Sequence, residues 1–381
     1  MGNEALYQER MDRIQKAMRC ESVDRIPVIY MGVAFSPRYM GMSIAKFCED
    51  PEAAANVTIA AMDRLNGFGG LDGCNAAQTT RITPALTTVW LSRIGVPGRD
   101  LPSDSLWQVR EEEVMTQADY DTIIEKGWMA FFMEYAPKVI DMVELQEFFG
   151  WAHTMTGPLL QRYRDHGYVV ITGGMGSIPF EYFCGGRSMQ QFYFDLYRIP
   201  DKVQAAMDAA FPEIIGMTIG AAQASGSPGV WVGGWRAASA LLAPKLWDRF
   251  VWPYFVKFVH ALVDAGLTPV LHWDQDWTRD LVRLQELPDR KCVLNPDGMT
   301  NVRKFKELVG DRMALLGDVP PALLAVGTPD DIYAYVRDLV RDIGPTGLLL
   351  CPGCDAPINA RPENMEAFVA AGHELGRMKA Q

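Results

Sequence analysis

Eight short β-rich runs, each followed by a longer stretch of helical pattern, constrain this chain more than any other feature. They are Arg25–Gly32 (RIPVIYMG), Phe68–Asn75 (FGGLDGCN), Tyr168–Gly174 (YVVITGG) and Val230–Trp235 (VWVGGW) in the first part. Thr268–Asp274 (TPVLHWD), Cys292–Pro296 (CVLNP), Ala314–Val319 (ALLGDV) and Gly347–Gly353 (GLLLCPG) follow. Segments such as VLHW and GLLLC are apolar nearly throughout, as parallel strands covered on both faces must be. Strand–helix alternation implies parallel pairing through right-handed crossovers. Eight such units predict an α/β fold, a closed (β/α)8 TIM-type barrel. An open doubly wound sheet is the competing arrangement.

The helices are plainest in the second half. Thr328 reads as an N-cap with Pro329 at the first helical position and Asp330 and Asp331 in the first turn. The run IYAYVRDLVRDI follows, closed by Gly344-Pro345. Ala243-Pro244 opens one amphipathic run that ends near Asp264-Ala265-Gly266, and Arg361-Pro362 opens the last helix, through Ala371-Gly372. Residues from about 76 to 165 are too many for one crossover. They contain a hairpin-like segment (TTRITPALTTVWLSRIG), a Pro/Gly turn (GVPGRDLPSD) and one or two helices from about Gln117. This pattern predicts an insertion after the second strand that caps the barrel mouth, within a single domain spanning residues 1–381.

Composition narrows the partners. The chain has 36 basic and 47 acidic side chains, a net charge of −11, and no local basic patch. Such a surface repels phosphate backbones, which argues against a nucleic-acid partner. No apolar run approaches a membrane span, and the opening segment is polar and helical rather than a secretion signal. Seven scattered cysteines fit reduced thiols, so the expected location is cytoplasmic. The oligomeric state stays open, with a homodimer among the options.

The strongest chemical candidate is His272-Trp273-Asp274, at the end of the fifth run. Strand alternation puts His272 and Asp274 on one face and Trp273 on the other. In a barrel that face looks into the mouth, where active sites lie. The pair could bind a metal or act as acid and base, and a merely buried, hydrogen-bonded histidine reads the same way. Cys351-Pro352-Gly353-Cys354 ends the eighth run, and a lone CxxC is weak by itself. Joined with His272, one of its sulfurs would complete an N, O, S set with an open fourth position. Asn75, Glu181, Trp235, Arg236, Asp297 and Asp318 also stand at strand ends. Of these, Glu181 is a candidate catalytic or metal-binding group, and Asn75, Trp235, Arg236 and Asp318 are candidate substrate contacts. Asp318 could equally cap the following turn. Gly173-Gly174-Met175-Gly176 lacks the spacing of a dinucleotide fingerprint.

The segments ERMDRIQKAMRCESVDRIPV, LHWDQDW, LLGDVPPALLAVGTPDDIYAYVRDL and LLLCPGCDAPINARPENMEAFVAA, in that order, resemble the uroporphyrinogen decarboxylase superfamily. Its fold is a (β/α)8 barrel. True decarboxylases of the superfamily carry an arginine-containing loop that holds propionates, and YMGVAFSPRYMGMS lacks it. The resemblance is therefore closer to the branch of corrinoid-dependent methyltransferases, which use a zinc held by an H-x-C pair and a later cysteine. His272 matches that histidine, Cys354 matches the later cysteine, and Asp274 stands where the first cysteine would be. The resemblance implies bound Zn2+, cobalamin carried by a corrinoid partner protein, and a small-molecule methyl donor or acceptor. A carboxylate in place of a thiolate makes a more acidic zinc, which leans towards O-demethylation of a methoxylated compound, aromatic methyl ethers included. The alternative is a metal-free decarboxylase or lyase using Asp274, Asp276 or Glu181 as acid–base groups.

Overall fold

A computed structural model of the chain describes residues 2–377. All eight runs are strands of one parallel sheet. In chain order β1 is Ile29–Tyr30, β2 Gly73–Ala76, β3 Val169–Ser177 and β4 Gly229–Gly234. β5 is Thr268–Trp273, β6 Val293–Pro296, β7 Ala314–Val319 and β8 Leu348–Pro352. Each strand pairs with the next. The ring comes round where the Leu350 amide donates to the Pro27 carbonyl at 2.9 Å, beside a parallel bridge between Val28 and Leu350. The barrel is thus nearly closed, as eight strand–helix units require.

Alternation along the strands divides the interior from the helical layer. Ile29, Val169, Ile171, Val270, Val293, Ala314, Leu316, Leu349 and Cys351 form one buried cluster inside the ring. Their neighbours of opposite parity, such as Leu271, Trp273, Leu294 and Leu315, pack outward into the larger core. Helix Asn3–Met18 contributes Ile14, Ala17 and Met18 to the inner cluster and so plugs the N-terminal end. Each such buried aliphatic side chain stabilises by about 1.5–3 kcal/mol. The plug is also tied electrostatically. Asp72, fully buried just before β2, accepts from Arg13 at 2.7 Å, Arg25 at 2.7 and 2.8 Å, and the Val28 amide at 2.9 Å. A buried carboxylate so surrounded has its charge satisfied, and removing one arginine would leave it exposed to a dry interior.

The cap pattern at Thr328 is realised. Its hydroxyl and the Asp331 carboxylate form a reciprocal capping box on helix Pro329–Ile343. The single run expected after Ala243 is instead two helices, Pro244–Phe250 and Trp252–Asp264. Pro253 has no amide hydrogen to continue the first helix, so the chain breaks at Val251 and Pro253 sits in the first turn of the second. A second correction concerns the insertion. The segment expected to be hairpin-like forms helix Ile82–Trp90, although five of its nine residues are β-branched. Burial of Thr83, Pro84 and Thr87 on one helical face outweighs strand propensity. The hairpin exists one step later, Ile94–Gly95 paired with Gln108–Val109 across the Pro/Gly turn. Helices Gln117–Lys126, Trp128–Tyr135 and Met142–Asp165 complete the stretch.

The glycines of Gly173-Gly174-Met175-Gly176 serve packing. A side chain at Gly173 would collide with Ser225, and one at Gly176 with Thr218, both on helix Pro200–Ser225. Among the described residues no helix is long and apolar enough to cross a membrane.

Candidate functional site

β5 carries the site. Val270 and His272 point into the barrel, whereas Trp273 points out and stacks on Trp277 at 4.1 Å. Asp274 follows the strand, with its amide held by the Gly234 carbonyl at 2.9 Å. Across the mouth, Cys354 lies two residues beyond β8. The His272 Nε2 atom is 3.4 Å from the Asp274 carboxylate and 3.6 Å from Cys354 Sγ. One ligand atom from each residue lies within 4.8 Å of the other two.

A tetrahedral zinc with ligand bonds of about 2.0–2.3 Å has edges of about 3.4 Å between N and O and about 3.6 Å between N and S. The two edges at His272 have these lengths. The donor set, imidazole, carboxylate and thiolate, suits Zn2+ with one position left open. The residues therefore fit a zinc ion. Their titration points the same way. Burial disfavours a charged His272, but the Asp274 carboxylate and Cys354 sulfur outweigh it and raise its pKa well above the usual histidine value. Burial raises the Cys354 thiol, opposed by His272. Three donors thus converge on one proton, in the place a cation would take.

The histidine is oriented from beneath. Asn295, paired in register with His272 on β6, donates from Nδ2 to the Leu316 carbonyl at 2.7 Å. Its Oδ1 is therefore the acceptor facing His272 Nδ1 at 2.8 Å, which fixes a proton on Nδ1 and makes Nε2 the nitrogen presented to Asp274 and Cys354, where a metal would displace its proton. Asn75 Nδ2 donates to the same Oδ1 at 3.0 Å. Asn75 is fully buried and through Nδ2 supports the acceptor that faces the histidine, while its Oδ1 has no hydrogen-bond partner. Asp355 orients the cysteine: its carboxylate accepts from the Val33 and Ala34 amides at 2.5 and 3.1 Å. Burial pushes its pKa up to about 6.

Sequence reasoning missed Asn295 and Asp355. The signal for Asn295 was its parity, two residues beyond inward-facing Val293 at a strand end.

The remaining candidates separate into two groups. Glu181 is fully buried, and its carboxylate accepts from the amides of Trp235 at 2.6 Å, Arg236 at 3.0 and 3.1 Å, and Ala237 at 3.0 Å. Burial raises it to about 7 against those donors. It holds the loop after β4. Trp235 in that loop lies tilted against Trp90 of the insertion, ring centres 4.3 Å apart, and against Trp231 at 5.4 Å. Trp231 in turn stacks on His272 at 5.0 Å. The Arg236 guanidinium lies 4.7 Å from the centre of the Trp90 ring.

Asp318 stands apart from this line. It is 2% exposed, takes a 2.9 Å hydrogen bond from Tyr335, and is pushed up to about 7 by burial. It caps no turn: the helix Pro321–Val326 has no side-chain cap. Asp297 and Asp276 accept from loop amides, those of Gln275 and Met299 and that of Thr278, each at 2.8 Å.

The uroporphyrinogen decarboxylase (URO-D) family model matches residues 9–73 and 160–375, leaving between them the stretch read as an insertion. The uroporphyrinogen decarboxylase of Geobacter sulfurreducens is 27% identical over 372 residues, covering 93% of this chain and 96% of that protein. The one from Geobacter metallireducens is 26% identical over 373 residues with the same coverage. Among solved structures, a methyltransferase from Methanosarcina mazei is similar with a TM-score of 0.70 at 19% identity, over 95% of this chain and 97% of its own. That likeness is one of fold.

Proposed function

This chain belongs to the uroporphyrinogen decarboxylase family, and on that premise we propose that it is a zinc-dependent methyltransferase of the corrinoid type. In this reading it takes a methyl group from a methoxylated compound and passes it to the cobalamin of a corrinoid protein, as the methyltransferase component of an O-demethylase system. One observation carries the reading: His272, Asp274 and Cys354 converge with edges of 3.4 and 3.6 Å. Zinc held by these three residues would supply Lewis acidity at the ether oxygen of the donor, sharpened by a carboxylate where a second thiolate would stand.

The chain's own residues do the rest. Asn295 holds a proton on Nδ1 of His272, so that Nε2 is the nitrogen offered to the metal, and Asp355 fixes the segment that delivers Cys354. Trp231 covers the face of the imidazole and excludes water from it. Glu181 is a positioning residue: it holds the backbone that presents Trp235 and Arg236. Residues 76–165 act as the cap over the mouth in this reading, since Trp90 reaches Trp235 from there.

A metal-free decarboxylase is the second reading, favoured by the names of the sequence relatives. Metal analysis of protein purified without chelator separates the two. About one zinc per chain, lost in His272→Ala without unfolding, is expected. Protein that is metal-free and takes up no zinc on titration overturns the proposal. With zinc bound, failure to demethylate any methoxyarene in the presence of reduced corrinoid protein overturns the choice of substrate.

A further inference from the structure

Asp274 is followed by a backbone step that its own sequence does not favour. Gln275 has a φ of 69°, in the left-handed region that glycine, asparagine and aspartate enter far more readily than glutamine does. The step comes directly after the residue whose carboxylate stands 3.4 Å from Nε2 of His272. Such a conformation persists only where the surroundings hold it.

The loop after β6 does the holding. Asp297 Oδ2 accepts from the Gln275 amide at 2.8 Å, and its Oδ1 accepts from the Met299 amide at 2.8 Å. The Thr300 hydroxyl donates to the Gln275 carbonyl at 3.2 Å and accepts from the Trp277 amide at 3.1 Å. Both the N–H and the C=O of Gln275 are therefore fastened from residues 297–300. Asp297 is in turn anchored to the sheet, since its amide donates to the Trp273 carbonyl at 3.2 Å. Asp274 is tied on its own account, its amide to the Gly234 carbonyl at 2.9 Å and its carbonyl to Trp277 Nε1 at 2.7 Å. Each oxygen of Asp297 is committed to a loop amide, and neither belongs to the donors of His272, Asp274 and Cys354 that converge within 4.8 Å. Its influence on those donors runs through the backbone.

Resting on the zinc reading above, we propose that Asp297 is a positioning residue for the metal centre: by holding the left-handed turn at Gln275 it keeps the Asp274 carboxylate preorganised beside His272. The strand itself fixes His272, whereas Asp274 lies beyond the strand and depends on this fastening between two loops.

The test is zinc affinity of the full-length protein, by competition with a chelator, in wild type, Asp297→Ala, Asp297→Asn, Asp274→Ala and the double variant Asp274→Ala/Asp297→Ala. Asp297→Ala is expected to weaken zinc binding by about 10- to 100-fold. Asp297→Asn keeps a carbonyl oxygen for the Gln275 amide and loses the charge, and should recover most of that loss. Once Asp274 is gone, removing Asp297 as well should change the affinity by less than about 2-fold. Unchanged affinity in Asp297→Ala would overturn the proposal. So would an equal loss in Asp297→Asn, which would make the effect one of charge, or an additive loss in the double variant, which would make it one of general stability. Exchange of the Gln275 amide in metal-free wild type needs no variant: the amide is expected to be protected, and exchange at the rate of an unbonded loop amide would overturn the fastening. Wild type that takes up no zinc while this amide is protected would sink the metal reading and the role with it. Zinc bound equally by wild type and Asp297→Ala would sink the role alone.

Discussion

The two ends of the barrel interior are built from the same strands and differ by a step of two residues. Near the plugged end, β5 and β6 place Val270 and Val293 in a dry apolar cluster with Leu349 of β8. One inward position further, the same strands present His272 and Asn295, joined by a 2.8 Å hydrogen bond. Parity is unchanged, so the division between packing and chemistry lies in depth along the strand. A site so placed rests on a rigid floor and needs only short loops, those carrying Asp274 and Cys354, to complete it.

The largest effect that would break this comparison lies within the Cys351-Pro352-Gly353-Cys354 segment. Cys351 is fully buried in the inner cluster, and burial holds its thiol well above the usual range, whereas Cys354 faces His272. Cys354→Ala is therefore expected to abolish stoichiometric zinc and lower methyl transfer by at least about a thousandfold. Cys351→Ala should keep the zinc and lose only packing, on the order of 1 kcal/mol. Metal analysis and thermal unfolding of both variants read the difference. Zinc loss in Cys351→Ala would mean that the floor and the site are not separate.

Leu349→Ala tests the floor itself. Leu349 is fully buried among the side chains of the plug helix and the strands, so the variant should lose about 2–5 kcal/mol of stability. Zinc stoichiometry at a temperature where it remains folded should not change. A loss under 1 kcal/mol would show that the plug collapses into the space.

Much of this division could be read in the sequence. All eight strands were found because apolar runs such as VLHW have no other use than a strand covered on both faces. His272 and Asp274 followed from alternation, and Cys354 from the resemblance. What stayed hidden depended on contacts distant in the chain. Ile82–Trp90 looks like strand by propensity and becomes helix through the face it buries. Glu181 reads as a catalytic acid until three amides from residues 235–237 are found on it. Asn295 is a neutral residue in a short strand, and only its partners, 21 to 220 positions away, give it a role.

Asp318 sharpens the comparison through pH. Its folded pKa, about 7, is raised above the ordinary aspartate value by burial. The native state therefore holds the proton more tightly than the unfolded chain does. The stability this contributes is complete below about pH 4 and is lost as pH rises to about 7, by an amount on the order of 2–4 kcal/mol. Asp318→Asn keeps an acceptor for Tyr335 and removes the titration. Its unfolding free energy should match wild type near pH 4 and exceed it near pH 8. Parallel pH profiles for the two proteins would show that Asp318 is ionised in the fold throughout.

The smallest expected effect falls on the residue that joins floor and site. Asn295 touches no metal in the proposed centre. Its part is to fix which nitrogen of His272 carries the proton, and such supporting partners are worth about 10- to 100-fold in metal affinity. Asn295→Leu keeps the volume but removes the acceptor, so zinc affinity, measured by competition with a chelator, should drop within that range. Asn295→Asp restores the acceptor at Nδ1 while losing the donor to Leu316, and should recover part of the loss. A structural role alone would move stability in both variants and leave the zinc constant where it was. Recovery by the aspartate would place the effect on the histidine proton, two residues above a floor that neither variant disturbs.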